Sequence, residues 1–166
     1  MRQILYEKLV RYIVENQDRF YRMAYSYTGN KEDALDAVQN AVCKALEAYE
    51  SIKNADAVRT WFYRILTNEC FAIIKKRNKI VLFDDYGGQA EVYCEQAYGQ
   101  GEDIRKELNK LEPDTRAIII LRYFEELSLK EVSGIMNLNL STVKTKLYRG
   151  LKTLRENIQE AALWEN

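Results

Sequence analysis

The sequence predicts an all-α protein made of two small helical domains joined by a flexible acidic linker, with a helix-turn-helix in the second domain. One proline and seven glycines among 166 residues leave few positions that interrupt a helix, and apolar residues recur at helical spacing along most of the chain. This periodicity is lost between residues 80 and 102 and then resumes. We therefore expect domains at 1–79 and 103–166, separated by a linker at 80–102.

Charge and composition exclude several classes of function. Because 25 lysines and arginines balance 25 aspartates and glutamates, any nucleic-acid binding must come from local basic surfaces. The chain has no histidine, and its three cysteines (Cys43, Cys70 and Cys94) are widely separated. This composition argues against a zinc site and a histidine-based catalytic site. We expect no catalytic residue, cofactor or metal, and we expect Cys43 and Cys70 to be small core residues.

The sequence also predicts a cytoplasmic location. No segment approaches the roughly 18 apolar residues that span a membrane, and the N-terminus lacks the apolar run of a signal peptide. An odd number of scattered cysteines suits a reducing compartment.

The first two helical segments are expected at residues 3–27, with a break near Asn16, and at residues 31–49. Thr28, Gly29 and Asn30 between them form a stop signal. The predicted buried face of the second segment consists of Leu35, Val38, Val42, Ala45 and Leu46. Its polar face consists of Asp36, Gln39 and Asn40. Spacing alone allows this face to be plain solvent surface, which it favours, or a docking face for a basic partner.

Residues 57–79 carry more apolar groups than one helical stripe can hold. Since Thr67 and Asn68 compete with the backbone for hydrogen bonds, we expect two helices joined near Asn68, with Asp56 as the N-cap of the first. The basic residues of this segment are Arg59, Arg64, Lys75, Lys76, Arg77 and Lys79, against the single acid Glu69. Basic groups interleaved with aromatic ones are typical of a surface that binds single-stranded nucleic acid. A core of aromatics with solvated charges remains an open alternative.

The linker at 80–102 carries acids but no lysine or arginine up to Gly101. Four of the seven glycines lie there. Its acids are Asp84, Asp85, Glu91 and Glu95. It is interpreted either as an inert spacer or as a segment that occupies a groove meant for nucleic acid.

The second domain is expected to centre on a helix that begins at Pro113 and contains the apolar run Ile118–Leu121. A shorter stripe made of Ile104, Leu108 and Leu111 precedes it. Ser128 and Glu131 form the sequence of a capping box for the next helix, and Asn137 suits its left-handed end. Ser141 is the predicted N-cap of the last helix.

This last helix is sharply two-sided. Val143, Leu147, Leu151 and Leu154 predict its buried stripe. The opposite stripe is basic or hydroxyl-bearing and consists of Lys144, Thr145, Tyr148, Arg149 and Lys152. Such a face suits the major groove of DNA, where lysine and arginine meet phosphates or guanine edges. The alternative is an ordinary amphipathic helix whose solvated face happens to be basic.

Two blocks of the sequence together resemble the extracytoplasmic-function (ECF) subgroup of bacterial sigma-70 family transcription factors. The first block is DALDAVQNAVCKAL followed by VRTWFYRILTNECFAIIKKR. The second is LEPDTRAIIILRYFEELSLKEVSGIMNLNLSTVKTKLYRGLKTLR. A helix-turn-helix alone is shared by many regulators, whereas both blocks in this order and at this spacing are specific. The resemblance extends from about Asp18 to Asn157 and implies two helical domains with a flexible linker.

The resemblance implies roles for individual residues of the first domain. Asp36, Gln39 and Asn40 match the D-x-x-Q-E element that docks on the clamp helices of core RNA polymerase, with Asn40 in place of glutamate. The segment from Trp61 to Arg77 is similar to the part that melts the −10 promoter element. Asn68 matches the asparagine of the loop that captures a flipped base. The implied contacts with the −10 element are Trp61, Asn68, Lys75 and Arg77.

In the second domain, residues 141–145 resemble the G-T-V-K-S start of the helix that reads the −35 element, with Ser141 in place of glycine. Ser133 stands where the family usually has alanine. The implied contacts with the −35 element are Ser141, Thr142, Lys144, Thr145, Tyr148, Arg149 and Lys152.

The implied partners are core RNA polymerase, promoter DNA and an anti-sigma factor, with no small-molecule substrate. The family's anti-sigma factors are often membrane-bound, so a cytoplasmic chain of this kind can be held at the membrane. Two other hypotheses remain at this level. One is a helix-turn-helix regulator that binds duplex DNA without polymerase, and the other is an adapter whose basic faces bind acidic proteins.

Overall fold

The computed structural model divides the chain into two compact units, Met1–Tyr93 and Cys94–Asn166. It describes the backbone of residues 1–83 and 101–164 and the side chains of residues 1–79 and 104–160. Every regular element in those ranges is helical, which confirms the predicted fold class. The predicted linker therefore lies mostly outside the described residues. Among the described helices, none combines the length and the apolar character needed to cross a membrane.

Over residues 1–83, the first unit contains four α-helices. They are α1 (Arg2–Glu15), α2 (Gln17–Thr28), α3 (Lys31–Ala48) and α4 (Val58–Phe83), and two short 3-10 segments at Tyr49–Ser51 and Ala55–Ala57 lie between α3 and α4. The predicted interruptions are confirmed. Asn16 separates α1 from α2, and its side-chain amide donates to the carbonyl of Tyr12 at 2.8 Å. Gly29 ends α2 with a φ of 71°, a left-handed conformation that glycine adopts without strain.

The core of the first unit is aromatic. Phe20 of α2 and Phe62 of α4 are fully buried, and their ring centroids lie 4.6 Å apart. Tyr27 and Tyr63 are also buried, and the ring of Tyr27 meets Phe71 edge-on at 5.3 Å. These contacts tie α2 to the first part and the middle of α4.

The predicted buried face of α3 was largely wrong. Its buried residues are Ala34, Ala37, Ala41 and Ala45, whereas Leu35 is 50% exposed and Cys43 is exposed as well. The side chains of Val38, Val42 and Leu46 are only partly covered. Because α3 packs against both α2 and α4, small alanine side chains allow three backbones to approach closely. The larger apolar residues are left along the edge of that contact.

The prediction of two helices joined near Asn68 was also wrong, because α4 runs unbroken from Val58 to Phe83. It packs against α2 on one side and α3 on another, which explains why its apolar residues exceed one stripe. Leu66, Thr67 and Cys70 are buried at the expected break, so tertiary packing overrides the weak helix propensity of threonine and asparagine. The predicted cap Asp56 is replaced by Asn54, whose side chain accepts from the Ala57 N–H at 3.0 Å.

The second unit contains α5 (Gly101–Asn109), α6 (Pro113–Ile119), α7 (Leu129–Met136) and α8 (Leu140–Trp164). As predicted, Pro113 begins α6 and the run Ile118–Leu121 is buried. The helix continues beyond Ile119 as a π-helical segment, Ile120–Phe124, whose last two aromatic side chains are about half exposed. Helices α7 and α8 pack against each other as the helix-turn-helix, and α6 supports it by packing against α8.

The predicted turn between α7 and α8 is confirmed in its main features. The Ser128 hydroxyl accepts from the Glu131 N–H at 3.1 Å, and the Glu131 carboxylate accepts from the Ser128 N–H at 2.8 Å. Asn137 ends α7 with a φ of 55°. Ser141, however, is not the N-cap of α8. The helix begins at Leu140, and its first backbone hydrogen bond runs from the Val143 N–H to the Asn139 carbonyl at 3.0 Å.

Candidate functional site

The polar face of α3 points away from the core of the first unit. Asp36, Gln39 and Asn40 are all exposed, as expected for residues opposite the buried alanines. Their side chains make no hydrogen bond or ion pair within the described part of the chain. Leu35 lies beside them and is half exposed, so this surface offers an apolar group next to three polar ones. Such a combination suits a protein partner.

The −10 candidates occupy different positions along α4. Lys75 is exposed, and its ammonium has no ion-pair partner among the described residues. Trp61 is partly buried, which agrees with a role in supporting the core as well as a surface. Arg77 differs from the prediction because its guanidinium is used inside the unit. It donates to the Thr28 carbonyl at 2.8 Å and to the Asp33 carboxylate at 3.2 Å.

These Arg77 contacts join three helices. Thr28 ends α2, Asp33 lies in the first turn of α3, and Arg77 is near the end of the described side chains of α4. The guanidinium satisfies a carbonyl at a helix terminus and pairs with a carboxylate that is only 26% exposed. Arg77 therefore stabilises the scaffold, and the structure does not bring it together with Asn68.

Asn68 is exposed on α4 and lies on an open cleft between α3 and α4. The cleft has a volume of about 390 Å³, which falls at the lower end of the range of small-ligand pockets, roughly 300–1,000 Å³. It is lined by Lys44, Glu47, Ala48, Ile65, Asn68 and Glu69. The Asn68 amide has no side-chain partner within the described residues, so its donors and acceptor face the cleft unused. The helical setting of Asn68 replaces the predicted loop.

Glu69 and Lys44 also line this cleft, and the sequence did not predict a role for either residue there. Glu69 is the single acid among six basic residues of its segment, which was the available signal. Its carboxylate is buried and pairs with the exposed Lys44 ammonium of α3. The neighbouring Cys70 is buried, and burial raises the pKa of its thiol to about 12, with the charge of Glu69 acting in the same direction. The thiol is therefore protonated and unreactive at neutral pH.

The reading stripe of α8, defined as Lys144, Thr145, Tyr148, Arg149 and Lys152, is exposed throughout as predicted. On the opposite side of the helix Val143 and Leu147 are buried. The Thr145 hydroxyl donates to the Ser141 carbonyl at 2.9 Å, which leaves its oxygen able to accept. Ser141 is exposed and Thr142 is partly covered at the start of the same helix.

No acidic side chain of α8 lies on this stripe. Lys146, which faces the other way, pairs with Asp114 of α6 at 3.6 Å, whereas the charged groups of Lys144, Arg149 and Lys152 have no ion-pair partner within the described residues. Three cations with an adjacent tyrosine and threonine can contact phosphates and base edges from one helix. Within the described residues there is also no group of three or more potential metal ligands.

Comparison with known protein families matches both halves of the chain. Residues 12–80 match the family model of sigma-70 region 2, and residues 101–154 match that of sigma-70 region 4. The first match contains α2, α3 and the cleft, and the second contains the helix-turn-helix.

Curated relatives extend the match along most of the chain. The RNA polymerase sigma factor SigV of Bacillus subtilis (strain 168) is 38% identical over 147 residues, which cover 89% of this chain and 89% of SigV. The ECF RNA polymerase sigma factor SigW of the same organism is 30% identical over 159 residues, which cover 87% of this chain and 85% of SigW.

Two solved structures share the fold. The sigma factor RpoE of Bartonella quintana, in complex with the anti-sigma factor NepR, has a TM-score of 0.75 at 23% identity and covers 90% of this chain and 95% of its own. CnrH in complex with the cytosolic domain of CnrY has a TM-score of 0.71 at 17% identity and covers 96% of this chain and 97% of its own. These two structures show the fold, whereas the family models and the curated relatives identify the family. The chain therefore belongs to the sigma-70 family of RNA polymerase sigma factors, in its ECF subgroup.

Proposed function

We propose that this ECF sigma factor binds core RNA polymerase through the polar face of α3 and recognises promoter DNA through α4 and α8. The reading stripe of α8 carries the proposal, because five basic or hydroxyl-bearing side chains remain exposed on one side of a helix that buries the other. A sigma factor of this kind confers promoter recognition on polymerase and needs no catalytic residue of its own.

Core binding is assigned to Asp36, Gln39 and Asn40. Their exposure, their lack of partners within the described residues and the neighbouring Leu35 support this assignment. Asp36 and Gln39 lie three residues apart and therefore on the same face of α3. A partner with basic or hydrogen-bonding groups on a helical surface complements them.

Replacing both Asp36 and Gln39 with alanine is expected to weaken the complex with core polymerase by about 1 kcal/mol or more, roughly fivefold in Kd. The measurement is a titration of core enzyme followed by gel filtration or anisotropy. Glu156 and Gln159 of α8 form a matched control pair, since they are exposed and have the same spacing. An equal loss of affinity for core polymerase in both double variants would contradict the assignment of the α3 polar face to core binding.

Recognition of the −10 element is assigned to the cleft around Asn68, with Lys75 as a phosphate contact and Trp61 as support. Extruding a base from a DNA stack costs a few kcal/mol and requires a pocket that contacts the base. The cleft offers apolar walls from Ile65 and Ala48 and an unused amide from Asn68. Arg77 is removed from the set of DNA contacts because its guanidinium is engaged with Thr28 and Asp33.

Recognition of the −35 element is assigned to the reading stripe together with Ser141 and Thr142. Arg149→Ala is expected to weaken binding of holoenzyme to the cognate −35 duplex by about 1–3 kcal/mol if the guanidinium reads a base edge. Arg155→Ala is the matched control, because Arg155 is exposed six residues further along α8. Equal weakening by Arg149→Ala on cognate and unrelated duplexes would reduce Arg149 to a phosphate contact.

Control by an anti-sigma factor in the cytoplasm completes the proposal. One solved structure with this fold is of the sigma factor RpoE bound to the anti-sigma factor NepR, and another is of CnrH bound to the cytosolic domain of CnrY. An inhibitor that covers the α3 face would compete with core polymerase for the same residues. Purification of the native chain from uninduced cells is expected to recover a stoichiometric partner other than polymerase. Recovery of polymerase alone would contradict this form of control.

A further inference from the structure

Glu69 places a buried carboxylate on the wall of the cleft that holds Asn68. Its side chain is 8% exposed, whereas the Lys44 side chain that pairs with it is 62% exposed. An ionised carboxylate offers about four acceptor sites, and Lys44 uses one of them. Within the described residues Glu69 has no further polar partner. Neither Glu69 oxygen is among the fully buried side-chain atoms that lack a partner, so the remaining acceptor sites are open to the cleft and available to a ligand that brings N–H donors.

The charge of the cleft limits the chemistry of that ligand. Glu47 and Glu69 contribute two carboxylates, and Lys44 contributes the single cation. A phosphate or another anion would be repelled, and an apolar ligand would leave Glu69 and Asn68 unpaired. A neutral planar group with amino hydrogens and ring acceptors meets both requirements, because it can donate to Glu69 and accept from the Asn68 amide.

Three of the four DNA bases are groups of this kind. Cytosine carries the N4 amine, adenine the N6 amine and guanine the N2 amine, whereas thymine has no exocyclic amine and presents the O4 carbonyl instead. Thymine has one ring donor, N3–H, which lies between the O2 and O4 carbonyls. A carboxylate that accepts from this N–H therefore brings its oxygens against a carbonyl, and this repulsion between acceptors is absent at the amines of the other three bases.

We infer that Glu69, held in place by Lys44, selects an amino-bearing base at the captured position of the promoter and rejects thymine. This inference rests on the proposed capture of a base next to Asn68 and adds a specificity-determining residue to it. Glu47 has a different role, since its side chain is exposed and its carboxylate stays hydrated. A hydrated carboxylate discriminates weakly, so Glu47 provides the matched control within the same cleft.

The test uses the full chain assembled with core RNA polymerase and a library of duplex promoters randomised upstream of the start site. Transcribed templates are sequenced for the wild type, Asn68→Ala, Glu69→Gln and Glu47→Gln. The captured position is the one at which Asn68→Ala flattens the base preference. There, thymine is expected to be depleted roughly tenfold or more in the wild type. Glu69→Gln is expected to raise the frequency of thymine at this position by a similar factor, because the glutamine amide can donate to a carbonyl. In the control Glu47→Gln, thymine is expected to remain depleted.

A second measurement needs no variant and covers the case in which Glu69→Gln fails to fold. The captured base of a selected promoter is replaced by its analogue without the amine, namely 2-pyrimidinone for cytosine, purine for adenine or hypoxanthine for guanine. Open-complex formation by the wild-type holoenzyme is expected to fall roughly tenfold. A merely structural role of the Glu69–Lys44 pair would lower the activity of Glu69→Gln on all promoters equally and leave the analogues without effect.

The outcomes separate base capture from base selection. If Asn68→Ala leaves the base preference unchanged at every promoter position, the proposal of base capture in this cleft is wrong. The inferred role of Glu69 is then wrong as well. If Asn68→Ala flattens one position but thymine is frequent there in the wild type, capture stands and the selection by Glu69 is overturned. Selection by Glu69 is likewise overturned if the analogues without the amine open as well as the natural bases, or if a folded Glu69→Gln protein keeps thymine depleted.

Discussion

Replacing Arg116 with alanine is expected to lower the free energy of unfolding of the second unit by about 3 kcal/mol. The residue is 7% exposed, and its guanidinium donates to the carbonyl of Leu108 at 3.0 Å and to those of Asn109 and Leu111 at 3.1 Å each. These carbonyls belong to the end of α5 and the turn after it, where a helix leaves acceptors without partners of its own. Alanine would leave the acceptors without their donor and would open a cavity beneath α5.

Hydrogen exchange of amides in α6 and α8 is the measurement, because slow amides in these helices report the opening of the second unit. Arg116→Lys keeps the charge, but an ammonium group cannot donate to three carbonyls with the planar geometry of a guanidinium. The expected loss in the free energy of unfolding is therefore intermediate. Arg122→Ala is the matched control. Arg122 is only partly covered and donates to the Leu127 carbonyl at 3.2 Å, a single bond worth about 1 kcal/mol. If Arg116→Ala costs no more than this control, the cap on α5 contributes little to stability.

The sequence could not reveal these three contacts of Arg116, because the acceptors are backbone carbonyls of α5 and of the turn after it, which carry no side-chain signal. Local signals, in contrast, predicted the second unit well. The Ser128–Glu131 capping box and the left-handed Asn137 depend on neighbours within a few residues, and the structure contains both. The start of α8 was predicted two residues late, because Asn139 and Ser141 are both good capping residues and the pattern alone does not choose between them.

Prediction failed where packing between helices decides the outcome. In α3 the leucines and valines suggested a buried face, yet contact with both α2 and α4 leaves room only for alanine. In α4 the pair Thr67–Asn68 suggested a break, yet burial of Thr67 between two helices holds the segment helical. Both errors arise because the sequence of one helix does not state how many neighbours it has.

The candidate sites show the same division. Exposure of the α3 polar face and of the α8 reading stripe could be predicted, since each follows from the periodicity of its own helix. The engagement of Arg77 with Asp33 and the pairing of Glu69 with Lys44 join residues that are 44 and 25 positions apart, so only the tertiary structure reveals them. These two pairs engage the side chains of Arg77 and Glu69 of α4.

Replacing Gly150 with alanine is expected to destabilise the second unit by about 2 kcal/mol, although alanine favours helix formation by about 1 kcal/mol over glycine. A methyl group on Gly150 would lie 2.5 Å from Thr115 Cγ2 and 2.9 Å from Ile119 Cδ1. Both distances are shorter than carbon atoms tolerate. Thr115 and Ile119 are buried in α6, so they can move only by displacing their neighbours or by shifting α6 away from α8.

Gly134→Ala makes the same chemical change on the exposed surface of α7 and is expected to stabilise by up to about 1 kcal/mol. Opposite signs for the two substitutions, measured by hydrogen exchange in α6 and α8, would isolate the steric contribution from helix propensity. Gly150 directly follows Arg149 of the reading stripe, so a shift of α8 on α6 would also reduce binding to the −35 duplex. A stabilising Gly150→Ala with unchanged duplex binding would mean that Thr115 and Ile119 rotate away at little cost, and that the packing of α6 does not position the reading helix.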